Sequence, residues 1–112
     1  MPAKNVLVII RSPPHTTLNT YEGLRVAAGL SDHNVKILYM DMGIYSVLKT
    51  SDHSLSFPFM ADLPEMGTEL YVDAQALNKH DIKEEDLISV IKVATKDQIQ
   101  TMIEETEASL VF

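Results

Sequence analysis

Arg11, Ser12, His15, Asp41 and Asp73 are the residues through which this chain would do chemistry. Arg11, Asp41 and Asp73 each follow an aliphatic or β-branched run. In open α/β sheets the ligand crevice lies beyond the C-terminal ends of such strands. His15 follows Pro13 and Pro14, which stiffen its loop and would present the imidazole at a defined angle. There it would shuttle a proton or hold an anion. The plainer alternative is a solvated loop histidine. Asp41 precedes a helix-like stretch. It either caps that helix, a contribution of about 1 kcal/mol, or walls a pocket, with Gly43 letting a ligand or a partner's backbone come close. Asp73 is a candidate general base or hydrogen-bond acceptor. It is equally a candidate helix cap.

Other chemistries are excluded by what is missing. There is no cysteine, so no thiolate nucleophile and no disulfide. His15, His33, His53 and His80 have neither i,i+3 nor i,i+4 spacing, so no zinc site is expected. No G-x-G-x-x-G, no P-loop and no G-x-S-x-G elbow occurs. No cofactor is therefore expected. The acidic runs Asp81, Glu84, Glu85, Asp86 and Glu104, Glu105, Glu107 read as solvated faces.

The elements that must position these residues alternate along the chain. Asn5 to Ile10 is a continuous apolar run suited to a central strand covered on both faces, and Ser12-Pro13-Pro14 ends it. Asn19 and Glu22 have capping-box spacing ahead of a helix with Tyr21, Leu24, Ala27 and Ala28 on one face, and Gly29 stands where a left-handed cap is expected. Val35 to Met40 is a second strand, followed by a turn at Asp41-Met42-Gly43 and a short helix through Ile44, Val47 and Leu48. Thr50 to Phe59 reads as a loop. Phe59, Leu63 and Met66 suggest a short helix closed by Gly67. Leu70 to Val72 is a third strand, Ile88 to Val93 a fourth and Ser109 to Phe112 a fifth. Thr95 and Gln98 have capping-box spacing before a last helix with Ile99, Met102 and Ile103 as its apolar face. The pattern predicts one domain over residues 1–112: a three-layer α/β/α sandwich on a five-stranded parallel sheet with right-handed crossovers.

A chain of 112 residues buries roughly two thirds of its unfolded surface, enough for a core without staples. The net charge of −7 opposes phosphate backbones and anionic bilayers, so neither direct nucleic-acid nor membrane binding is expected. The longest apolar run is far short of a membrane span. With no signal-peptide pattern, a cytoplasmic location is the expectation. Leu55, Phe57, Phe59 and Met60 crowd an apolar, proline-containing stretch. It either lids the domain's own core or forms an oligomer interface.

Four segments, in order, carry a family resemblance. They are Ile10-Arg11-Ser12-Pro13-Pro14-His15 followed by Tyr21-Glu22-Gly23-Leu24, Asp41-Met42-Gly43-Ile44-Tyr45, Leu70 to Leu77, and Ala108 to Phe112. Together they resemble the DsrE/DsrF-like proteins, the TusC/DsrF branch most of all, over essentially the whole length. Met42 is a departure from the family's Asp-Gly turn. The resemblance implies five parallel strands between helices, and assembly into a homo-oligomer (trimer or hexamer) or a hetero-oligomer with DsrE/DsrH-like subunits. It also implies a part in sulfur relay. In many members a cysteine follows the third strand, and the matching position here is Asp73. A carboxylate has no sulfur on which to carry a persulfide. Two readings survive: a non-catalytic scaffold or partner subunit, or a protein of another class that binds a small molecule in the crevice, with His15 and Asp73 as acid/base groups.

Overall fold

The computed structural model describes residues 3–14, 17–30, 32–52 and 57–112, of which 57, 58 and 60 are described as backbone only. Five strands form one sheet: β1 (Asn5–Ile10), β2 (Asn34–Tyr39), β3 (Glu69–Asp73), β4 (Ile91–Ala94) and β5 (Ala108–Val111). Their order is β4-β3-β2-β1-β5, and every pairing is parallel. Among the described residues four helices connect them: α1 (Asn19–Gly29), α2 (Phe57–Glu65), α3 (Ala74–Lys79) and α4 (Lys96–Glu105). A 3-10 segment, Asp41–Val47, follows β2.

The layering follows from the strand order. From β1 to β4 the chain steps across the sheet in one direction, so right-handed crossovers place α1, α2 and α3 on one face. The return from β4 to β5 runs the other way, past three strands, and α4 falls on the opposite face. The cores match. Val8, Ile10, Ile37, Tyr39, Leu70 and Val72 point to the first face and meet Leu24, Ile44, Val47, Leu63 and Leu77. Leu7 and Leu38 point to the second face and meet Ile99 and Met102 of α4. Period-2 alternation splits each strand between the two layers.

Local chemistry sets the element ends. Thr95 and Gln98 form the reciprocal cap expected of them, at 2.8 and 3.3 Å. Gly67 adopts φ 85° after α2, a conformation open to glycine at little cost. Five details differ from expectation. Asn19 is not a cap: Leu18 takes that position without a side-chain bond, and the Asn19 amide donates instead to Ser12 Oγ at 3.0 Å. Gly29 ends α1 inside the helix, and Leu30 at φ −99° follows it, so no left-handed turn forms there. α2 already begins at Phe57. β4 begins only at Ile91, because the Ile88 N–H is committed to Val47 C=O at 2.9 Å and Leu87 bridges Leu48 antiparallel. Ile103, expected on the apolar face of α4, is 51% exposed.

Candidate functional site

Reversal of the connections makes the β1/β5 boundary the switch point at which such sheets open a crevice. Here it is filled. Arg11 N–H donates to Phe112 C=O at 2.7 Å, and Phe112 N–H to Ile9 C=O at 2.8 Å. The Phe112 ring lies over Gly23 of α1, where a Cβ would come within 3.1 Å of it. The open cleft is displaced to the ends of β1, β2 and β3. It has a volume of about 460 Å³ and is lined by Arg11, Asp41, Met42, Asp73, Lys79 and His80, among others.

Arg11 leaves the end of β1 and its Nε donates to Asp41 Oδ2 at 2.5 Å. Asp41 opens the 3-10 segment at φ 48°, a left-handed conformation that Asp tolerates better than most residues. Both side chains are more than half exposed, at 60% and 51%, so the pair is worth little to stability. Asp41 does not cap: Met40 holds that position and no side-chain bond forms. Asp73 does cap. It is buried, precedes α3, and its Oδ1 accepts from Gln75 N–H at 3.0 Å.

Arg11, Asp41 and Asp73 thus meet in one cleft, because β1, β2 and β3 are neighbours in the sheet. Ser12 and Gly43 are outside its lining. Ser12 serves the α1 junction through Asn19. Gly43 is buried against β1, and the close approach it permits is that of the chain's own Ile10 carbonyl. His15 lies outside the described residues, as does Leu55. The interface expected at Phe57, Phe59 and Met60 is described at one side chain. Phe59 is packed on the first core and meets Tyr21 edge-on, centroids 5.6 Å apart.

Lys79 and His80 are cleft residues that sequence reasoning missed. His80 Nδ1 lies 3.2 Å from the Tyr45 hydroxyl, with the rings edge-on at 5.5 Å. The two are 35 residues apart, so no local spacing betrays the pair. Arg11 and Lys79 bring positive charge to the rim, while Asp41 and Asp73 bring negative charge. Such a cleft suits a small polar ligand or a partner's polar loop. No group of three or more metal-ligating side chains forms among the described residues.

Two other places carry organised polar groups. At the opposite pole, by the strand N-termini, a second cleft of about 460 Å³ is lined by Asn5, His33, Asn34, Lys36, Glu69 and Glu105, among others. On the second face of the sheet, Glu69 Oε2 accepts from the Tyr71 hydroxyl at 2.5 Å and from Lys92 Nζ at 3.1 Å. The Tyr71 and Lys92 bonds hold the Glu69 carboxyl below its usual range. Burial, followed by the bond to Glu69, pushes the Tyr71 phenol up to about 12.

The model of the DsrE/DsrF-like family matches residues 4–112. Among solved structures, the ychN protein from E. coli superposes with a TM-score of 0.83 at 15% identity, covering 99% of this chain and 100% of that one. MTH1491 from Methanobacterium thermoautotrophicum, described as a protein of unknown function, superposes at 0.73 with 16% identity, covering 99% and 100%. At these identities the two show the fold alone. No curated protein matches the sequence. Among the described residues no helix is long and apolar enough to cross a membrane.

Proposed function

Because the chain belongs to the DsrE/DsrF-like family, we propose that it is a non-catalytic assembly subunit of cytoplasmic sulfur relay. In this reading it oligomerises with itself or with cysteine-bearing relatives, shaping a complex around a partner's thiol. One observation carries the reading. The chain has no cysteine, and the last residue of β3 is Asp73, whose carboxylate is spent on the first turn of α3. A persulfide rides on a thiolate sulfur, and no side chain here supplies one. The strand-end architecture is retained while the sulfur-carrying atom is absent, a combination that suits a scaffold.

The test is reconstitution. A thiol-bearing family member is loaded from a sulfane-sulfur donor, and transfer to an acceptor thiol is followed with and without this chain. Faster transfer with this chain present, with all bound sulfur on the other protein, is the expected result. Transfer indifferent to this chain overturns the proposal.

The cleft supports a second reading, binding of a small polar molecule by Arg11, Asp41, Asp73 and Lys79, with Ser12, Gly43 and His15 in the flanking loops. Here His15 and Asp73 are the proposed acid/base pair. Thermal-shift screening against small anions and nucleotides tests it. A response abolished by Arg11→Ala with Lys79→Ala supports it, and the absence of any response removes it.

A further inference from the structure

β5 stands at one edge of the sheet and, although short at four residues, lacks the charge, proline and cover that otherwise protect an edge. Edge strands are blunted by charge, proline, a bulge or a covering element. Ala108-Ser109-Leu110-Val111 carries no charge and no proline. It pairs with β1 in unbroken register, and all four residues are exposed. Val111 is 59% exposed, and Ile103 on the neighbouring α4 is 51% exposed.

The backbone has a definite direction there. Phe112 turns both its N–H and its C=O toward β1, to Ile9 and from Arg11. Alternation along the ladder turns Leu110 the same way and points the N–H and C=O of Ser109 and Val111 outward. We propose that β5 is a self-pairing edge: two copies join β5 to β5, antiparallel, about a twofold axis at Leu110. Ser109 of each copy then faces Val111 of the other, and each such pair exchanges two backbone hydrogen bonds. The two Leu110 side chains meet at the axis, where apolar cross-strand pairs are favourable.

Charge argues for a second copy as the occupant. A chain of net charge −7 repels itself over most of its surface, but these four residues are neutral. The ends of the edge differ. Glu107 precedes β5, and at the far end Arg11, bonded through its N–H to Phe112, is already paired with Asp41. Antiparallel pairing keeps the two Glu107 carboxylates at opposite ends of the shared ladder. Parallel pairing would set like ends together. A twofold also lets one surface satisfy itself. The inference deepens the assembly reading above and rests on it.

Sedimentation over a concentration series tests the pairing, using the whole chain and two variants. Ser109→Pro removes an outward N–H and spares the bonds to β1, a placement that edge strands tolerate. Leu110→Cys installs the only thiol in the chain. At a non-hydrogen-bonded antiparallel pair the Cα atoms lie about 4.5 Å apart, within disulfide reach. The parent chain is expected to sediment as dimers or multiples of them. Ser109→Pro should weaken association by about tenfold or more with an unchanged circular dichroism spectrum. Leu110→Cys should form a covalent dimer on mild oxidation, while Val90→Cys, on an exposed site away from this edge, should not. If Ser109→Pro fails to fold, Val111→Lys and the Leu110→Cys cross-link decide. Association unaffected by the edge variants, without the Leu110→Cys cross-link, overturns the interface and leaves the assembly reading standing. A parent chain that stays monomeric, or whose edge pairs only with added extended peptides, overturns the inference outright.

Discussion

Gly43 lies so close to β1 that a Cβ placed on it would stand 2.1 Å from the carbonyl oxygen of Ile10. That carbonyl already accepts the Met40 N–H at 2.9 Å, and Gly43 N–H donates back to Met40 C=O at 2.8 Å. Backbone cannot yield as a flexible side chain can. Gly43→Ala is therefore expected to destabilise by about 2–3 kcal/mol, the cost of overpacking a rigid contact. Thermal unfolding measures it, and an unchanged midpoint contradicts the packing account.

Asp41 holds φ 48° while pairing with Arg11 across an exposed surface. Backbone conformation should matter more than the ion pair. Asp41→Gly is expected to stay within about 0.5 kcal/mol of the parent, relief of the left-handed conformation offsetting the lost pair. Asp41→Val is expected to cost about 1–2 kcal/mol. Denaturant midpoints compare them, and equal losses in the two variants would show that the ion pair dominates.

The Asp73 cap on α3 gives a graded series. Asp73→Asn should hold stability close to the parent, because an amide oxygen can still accept from Gln75 N–H. Asp73→Ala should lose about 1 kcal/mol. Chemical denaturation reads both. An Asp73→Ala variant as stable as the parent would show that the carboxylate does not support α3.

The Glu69–Tyr71–Lys92 cluster predicts two limbs of pH dependence. Glu69 titrates below its usual range in the folded chain. Its contribution is therefore present above the unfolded carboxylate pKa and is lost as pH falls through the folded value. Tyr71 is raised from 10.0 to about 12, so its contribution is complete below pH 10 and is lost as pH rises toward 12. Glu69→Gln should be less stable than the parent at neutral pH, with the gap closing in acid. Tyr71→Phe should show its gap closing in alkali. Midpoints measured across pH check both, and a pH-independent gap in either variant contradicts the cluster.

How much of this was legible in the sequence depends on whether the signal was local. Asn5 to Ile10 is a strand because the unbroken aliphatic run from Val6 suits burial on both faces, and Val35 to Tyr39 is one despite Lys36 because the rest of the run is apolar. The Thr95–Gln98 cap was readable because both partners lie within one turn. Asn19–Glu22 had similar spacing and misled, because the Asn19 amide found Ser12 across a loop. Ile88 to Val90 had strand-like composition, but a long-range bond to Val47 takes the backbone away from the sheet. Strand order was not legible, since periodicity carries no information about which strands are neighbours. That Arg11, Asp41 and Asp73 stand at strand ends was legible, but their meeting was not, because it depends on β1, β2 and β3 being neighbours in the sheet. The addition of Lys79 and His80 was not, because α3 folds back over the cleft through its tertiary packing on β3.

The native mass of the assembly isolated from cells that make this protein at its own level tests the central claim most directly. The account predicts a particle heavier than the 12.5 kDa chain, built from several copies or from this chain together with a thiol-bearing relative. A particle of one chain alone, at every concentration and in every fraction, would contradict it.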